Sequence, residues 1–189
     1  PYAHGHITEL DISAALGRPG VEAVYTAEDL QGLGGLPCRA LLKNARGEPA
    51  FIPRRPILAE RRVLFVGQAI AAVIAQTPEQ ALDAVEAIEL SVADLPACSD
   101  PAKALDPDTQ PMHEGQPDNL CVHFEQGSAA DVDQSLASGA HVVSVKLVNN
   151  RVVPSPLEPR ATLVEPTDDG FTLYNPSQGA LGQRAVLAS

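Results

Sequence analysis

The chain reads as an α+β protein, and three stretches carry that reading. Residues 61–97, RRVLFVGQAIAAVIAQTPEQALDAVEAIELSVADLPA, hold an apolar run, a capped helix and an alternating strand in succession. Residues 99–119 interrupt that texture with Pro101, Pro107, Pro111 and Pro117 among several acids, which is linker chemistry. Residues 161–164 and 171–174 then flank Asp168-Asp169-Gly170, the signature of a hairpin. A domain boundary is expected within residues 101–140.

The first stretch is the expected core. Residues 63–75 are rich in Val and Ile, and Gly67-Gln68 supplies the backbone freedom of a tight bend, so they read as a buried strand pair. Thr77-Pro78-Glu79-Gln80 is a helix start: a hydroxyl for an orphan N–H, proline at the first helical position, and Gln placed to close a capping box. Ala81, Leu82, Val85 and Ile88 recur at helical steps and form an apolar stripe, expected to bury against the unit's own sheet. Ile88, Leu90 and Val92 alternate with Glu89, Ser91 and Ala93 before Leu95-Pro96 ends the strand.

Before this core, Ile7, Leu10 and Ile12 suggest a strand, with Asp11 or Ser13 capping the short turn SAAL. Residues 21–25 form a second strand, and Thr26-Ala27-Glu28-Asp29 caps another turn. His4 and His6, two apart, would share a face of a strand as two metal ligands might, but no further ligand stands nearby, so no metal is assigned. Residues 31–56 are a Gly- and Pro-punctuated excursion; Arg54-Arg55 and Arg61-Arg62 read first as a solvated face, with an acidic partner surface as the sharper alternative.

Beyond the proline-rich break, residues 127–139 hold a short helix with Val132 and Leu136 as its apolar contacts. Residues 141–148 alternate as a strand. Arg151 to Arg160, RVVPSPLEPR, has too many prolines for an internal strand and crosses in extended form. Asn175-Pro176-Ser177-Gln178-Gly179 ends the hairpin and opens a terminal helix.

Composition excludes several classes. A chain of 189 residues lies near the upper end of one ordinary domain of roughly 100–200 residues. Hydrophobic residues make up 44%, with no Trp, so Val, Leu, Ile and Ala must fill the interior. A net charge of -11 argues against a nucleic-acid partner. No apolar run approaches the roughly 20 residues of a membrane helix, and no leader is evident. The chain opens at Pro1, so further residues are expected upstream. Cys38, Cys98 and Cys121 are odd in number and far apart, which reads as reduced, mostly buried thiols rather than a disulfide framework or cluster.

Two segments in order carry a family resemblance. ITELDISAALGRPGVEAVYTAEDL with PILAERRVLFVGQAIAAVIAQTPEQALDAVEAIELSVADLPA resembles the α/β hammerhead domain of the xanthine dehydrogenase/aldehyde oxidase family. NNRVVPSPLEPRATLVEPTDDGFTLYNPSQGALGQRAVLAS resembles the opening of the molybdopterin-binding domain that follows it, closest to the bacterial PxEPR branch with carbon monoxide dehydrogenase-like large subunits. The resemblance implies a hammerhead domain (mixed sheet with packed helices) over residues 1–110, a linker over 111–141, and the start of a molybdopterin-binding domain over 142–189.

It also implies function. Such large subunits belong to cytoplasmic oxidoreductases that insert water-derived oxygen into a C–H bond, or oxidise carbon monoxide, at a molybdopterin centre, here of the cytosine dinucleotide form. Gln178, with Gly179, would lie beside the molybdenum: an amide donates and accepts hydrogen bonds without titrating, and the helix start aims N–H groups at an anion. The plainer reading of Gln178 is a helix cap. For Glu158 a structural role is favoured. No catalytic residue is assigned, because the Gly-rich segment, the substrate loop and the glutamate base of the family would fall beyond Ser189. Implied partners are the rest of the large subunit, FAD and iron–sulfur subunits, and a small-molecule substrate: carbon monoxide, an aldehyde, a purine or an N-heterocycle. The chain by itself is expected to be inactive and metal-free. The alternative is a stand-alone binding or assembly module on the same fold.

Overall fold

A computed structural model describes residues 1–38, 42–150, 152–153, 155–158 and 160–188. They fall into two compact units, Pro1–Gln126 and Gly127–Ser189.

The first unit is built on β1 (Gly5–Asp11), α1 (Ser13–Leu16), β2 (Val21–Tyr25), β3 (Arg62–Val63), β4 (Ala72–Ala75), α2 (Pro78–Glu86) and β5 (Glu89–Asp94). β1 is the centre of a three-stranded sheet ordered β3-β1-β5, and β2 pairs with β4 in a second sheet; every pairing is antiparallel. Gly5 stands opposite both Val63 and Asp94. A register shift between Ile7 and Glu9 frees Thr8, whose hydroxyl donates to the Ser91 carbonyl at 3.1 Å.

The helix start forms as its residues dictate. Thr77 Oγ1 accepts from the Gln80 N–H at 3.3 Å, and Gln80 Oε1 accepts from the Thr77 N–H at 3.1 Å. Asp11 Oδ1 likewise accepts from the Ser13 N–H, at 2.8 Å, ahead of α1.

The core departs from expectation in two ways. Residues 63–75 do not form a strand pair: Gly67 makes its bend at φ +86, but β3 joins the first sheet and β4 the second. The strands on either side of α2 likewise lie in different sheets, so α2 packs on α1 and on the β2–β4 pair rather than on one sheet of its own. The buried face of α2 is the expected stripe only in part: Ile88 packs on the core and Ala81 is half-buried, but Leu82 and Val85 are not buried. Ala84 is fully buried beside Ala15 and Val24, with Ile12, Val73, Ala87 and Ile88 around them. Leu82 is 65% exposed and Val85 51%. At the contact of α1 with α2 the inside positions are the alanines Ala15 and Ala84, and the larger Leu82 and Val85 turn outward.

Residues 97–126 are not a free tether. The Cys121 carbonyl accepts from the Phe51 N–H at 2.9 Å and the His123 carbonyl from the Ala45 N–H at 3.2 Å. The Asn119 amide closes the loop, accepting from the Met112 N–H and donating to the carbonyls of Ala104 and Gln110. Half of the span expected as linker, residues 111–126, therefore lies in the first unit. Prolines there remove backbone donors, and one side-chain amide supplies bonds in their place.

The second unit holds α3 (Ala129–Ser138), the hairpin β6 (Leu163–Thr167) and β7 (Gly170–Tyr174), and α4 (Ala180–Leu187). Ser128 caps α3, and Gly170, at φ +145, follows the two-residue turn Asp168-Asp169. Residues 141–148 form no strand despite their alternation, since no described segment pairs with them and an isolated strand has nothing to satisfy its backbone. Within 151–160 the described residues are likewise irregular; Arg151, Pro154 and Pro159 lie outside them.

Candidate functional site

Gln178 stands where the sequence places it, between the end of β7 at Tyr174 and the start of α4 at Ala180. Gln178 and Gly179 are both exposed. Gly179 is the N-cap of α4 with extended backbone, and its N–H donates to Ser177 Oγ at 3.4 Å. No side chain caps the helix and no acid occupies its first turn; Arg184 sits in its last turn. The plainer reading, a Gln178 cap, therefore finds no hydrogen bond behind it. The positive end of the helix dipole there faces no acid of its own first turn.

This donor set suits an anionic, oxo-rich cofactor in kind: an uncharged amide, backbone N–H groups and no competing carboxylate on the turn. Glu158 is exposed, with no hydrogen bond or ion pair among the described residues. None of the described residues of this unit is buried.

His4 and His6 do not act as a pair. β1 begins at Gly5, so His4 precedes it and is buried, 1% exposed, whereas His6 is exposed. The Pro96 carbonyl can only accept, so His4 Nδ1 donates to it, at 2.7 Å; the Arg62 guanidinium can only donate, so Nε2 accepts from it. Both ring nitrogens are thereby used. Among the described residues no group of three His, Cys, Asp or Glu side chains converges as a metal site. The cysteines are unpaired and less buried than expected: Cys38 and Cys98 are half-buried and Cys121 is exposed.

A second polar locus escaped the sequence reading. Arg62, tied to His4, lines a cleft of the first unit with His113, whose ring lies 6.0 Å from that of Phe51. Burial, then the charge of Arg62, hold His113 below the usual imidazole range. The Arg61-Arg62 doublet signalled charge, but nothing local pointed to His113, which sits in the proline-rich stretch.

Residues 1–96 match the family model described as the aldehyde oxidase and xanthine dehydrogenase a/b hammerhead domain. Residues 112–189 match that of the molybdopterin cofactor-binding domain. The chain is 33% identical, over its full length, to the carbon monoxide dehydrogenase large chain of Hydrogenophaga pseudoflava, and spans 24% of it. It is 32% identical to the nicotine 6-hydroxylase large subunit of Paenarthrobacter nicotinovorans over 94% of its own length and 21% of that protein. Among solved structures, reconstituted CO dehydrogenase from Oligotropha carboxidovorans matches 99% of the chain and 24% of its own, at TM-score 0.83 and 30% identity. Quinoline 2-oxidoreductase from Pseudomonas putida 86 matches all of this chain and 23% of its own, at TM-score 0.82 and 25% identity. The chain thus spans between a fifth and a quarter of these relatives. No helix among the described residues is long and apolar enough to cross a membrane. With a hammerhead domain and molybdopterin-binding sequence in order, the chain belongs to the aldehyde oxidase and xanthine dehydrogenase family of molybdopterin-dependent oxidoreductases.

Proposed function

We propose that this chain is the N-terminal portion of the large subunit of a molybdenum hydroxylase, an enzyme inserting water-derived oxygen into a C–H bond or oxidising carbon monoxide. The observation that carries this reading is the bare second unit. Val143, Val145, Leu147 and Leu157 are all more than two-thirds exposed, and no described residue there is buried. Apolar surface of that extent belongs against further polypeptide. Residues 1–110 serve as the hammerhead scaffold, 111–141 as the passage between domains, its first half folded into the first unit, and 142–189 as the opening of the cofactor domain.

The cofactor, molybdopterin in its cytosine dinucleotide form, supplies the redox centre when bound. Gln178 is the residue of this chain that orients it, through an amide that donates without adding charge, and Gly179 keeps the approach to the helix start free of a side chain. Iron–sulfur and FAD subunits are the partners that take the electrons onward. Three thiols outside any disulfide suit a reducing compartment, the cytoplasm.

Gln178→Ala in the full-length subunit, assembled with its partners, is expected to lower turnover about 10–100-fold with molybdenum content retained. Unchanged turnover would remove Gln178 from the site. The 189-residue chain alone is expected to retain no molybdenum after purification. A content near one atom per chain would refute the reading of an incomplete site.

A further inference from the structure

Positive charge in this chain is gathered in one place. Seven of its 13 Lys and Arg residues fall within 39–62, a stretch with only two of the 24 Asp and Glu, so a basic island sits in an acidic chain. Three of the seven, Arg54, Arg61 and Arg62, line the same cleft of the first unit, whose apolar lining includes Phe51, Leu64 and Met112. The cleft has about 210 Å³ of room, below the roughly 300–1,000 Å³ of pockets that enclose a whole small molecule. It fits a side chain or a short run of backbone instead.

Two carboxylates line the cleft as well, and both are easily displaced. Glu114 lies 3.8 Å from Arg61 and 3.7 Å from Arg62, and its side chain is 68% exposed. Glu60 pairs with Arg54, and both side chains are exposed. Ion pairs so open to water contribute about 0–1 kcal/mol each, so exchange for another carboxylate costs little. Arg62 differs from its neighbours: its side chain is only 16% exposed, His4 holds one end of it, and its Nε has no acceptor among the described residues. A guanidinium fixed in advance loses less freedom when a carboxylate arrives.

We propose that this cleft docks an acidic, extended segment of a partner protein, its carboxylates on Arg54, Arg61 and Arg62 and an apolar side chain against Phe51, Leu64 and Met112. Charge complementarity identifies the occupant. The segment meets three guanidinium groups and an apolar wall, an arrangement that a free anion uses only in part and that a basic segment is repelled by. Arg55, exposed and without an ion pair among the described residues, adds to the attraction beside it.

The test is fluorescence anisotropy of the 189-residue chain with a short labelled peptide of Glu and Leu, against the same peptide with Lys for Glu. The acidic peptide is expected to bind and to weaken roughly tenfold between low and physiological salt, and the Lys peptide not to bind. Arg61→Glu should weaken the acidic peptide about tenfold, and Glu114→Gln, which removes the competing carboxylate, should tighten it a few-fold; both variants are checked for folding by circular dichroism. Equal binding of the two peptides, or indifference to both variants, would overturn the proposal. So would full displacement by inorganic phosphate at matched concentration, which would mark a simple anion site.

Discussion

Gly5 shows how little freedom the centre of the first sheet leaves. It is buried between Val63 and Asp94 on its two neighbouring strands, and a Cβ there would run into the Val92 side chain and come within 2.7 Å of the Ala93 carbonyl oxygen. Backbone cannot step aside as a flexible side chain can. Gly5→Ala is therefore expected to destabilise the fold by about 1–3 kcal/mol, read as a lower urea midpoint at unchanged slope. An unmoved midpoint would show that the strand has more slack than its packing suggests. Gly5 was not legible beforehand: in a single sequence it is one more glycine. The His4–Arg62 bond was equally hidden, because it joins residues 58 positions apart, whereas the spacing of His4 and His6 is local and misled. Gln178 was legible in position, since a strand end, a Pro and a helix start are all written in adjacent residues.

At the scale of elements, what was legible is what is local. The capping box of α2, the short helix α3 within residues 127–139 and the hairpin around Asp168-Asp169 each depend on residues within a few positions, and each forms. Thr77→Ala removes one of the two reciprocal bonds of the box and is expected to cost about 1 kcal/mol, seen as a lower melting temperature. Rescue by Thr77→Ser, and not by Thr77→Val, would separate the hydroxyl from the shape of the side chain; equal effects of Ser and Val would discard the capping account. Pairing was not legible. β3 and β4 are close in sequence with the right composition for a hairpin, but their partners are β1 and β2, chosen by packing far along the chain. The stripe on α2 held only in part for a related reason: periodicity finds a face, but packing against neighbouring elements decides which residue sits inside it.

For the whole molecule, the two units differ in how much of themselves they bury. The first has a sheet with paired strands on both sides of β1, reinforced by the Ile7 N–H donating to the Arg61 carbonyl at 2.9 Å. The described residues of the second hold a two-stranded hairpin, two short helices and long stretches outside them. Hydrogen exchange should follow that division: amides of Ile7 and Leu10 slowest, amides of residues 142–150 near unprotected rates. Strong protection of 142–150 would mean that this stretch finds a strand partner after all. Residues 141–148 alternate as a strand should, so the sequence pattern there describes an environment that the 189 residues do not themselves provide. Among the described residues the buried hydrophobics are only Ala15, Ala59 and Ala84 with Val24, Leu58 and Val63, and so small a core has a calorimetric corollary. Unfolding it uncovers little hydrocarbon, so its heat-capacity increment should fall below the usual ~12–15 cal/mol/K per residue. The stability curve is then shallow, changing little from cold to warm and lacking a tall maximum anywhere.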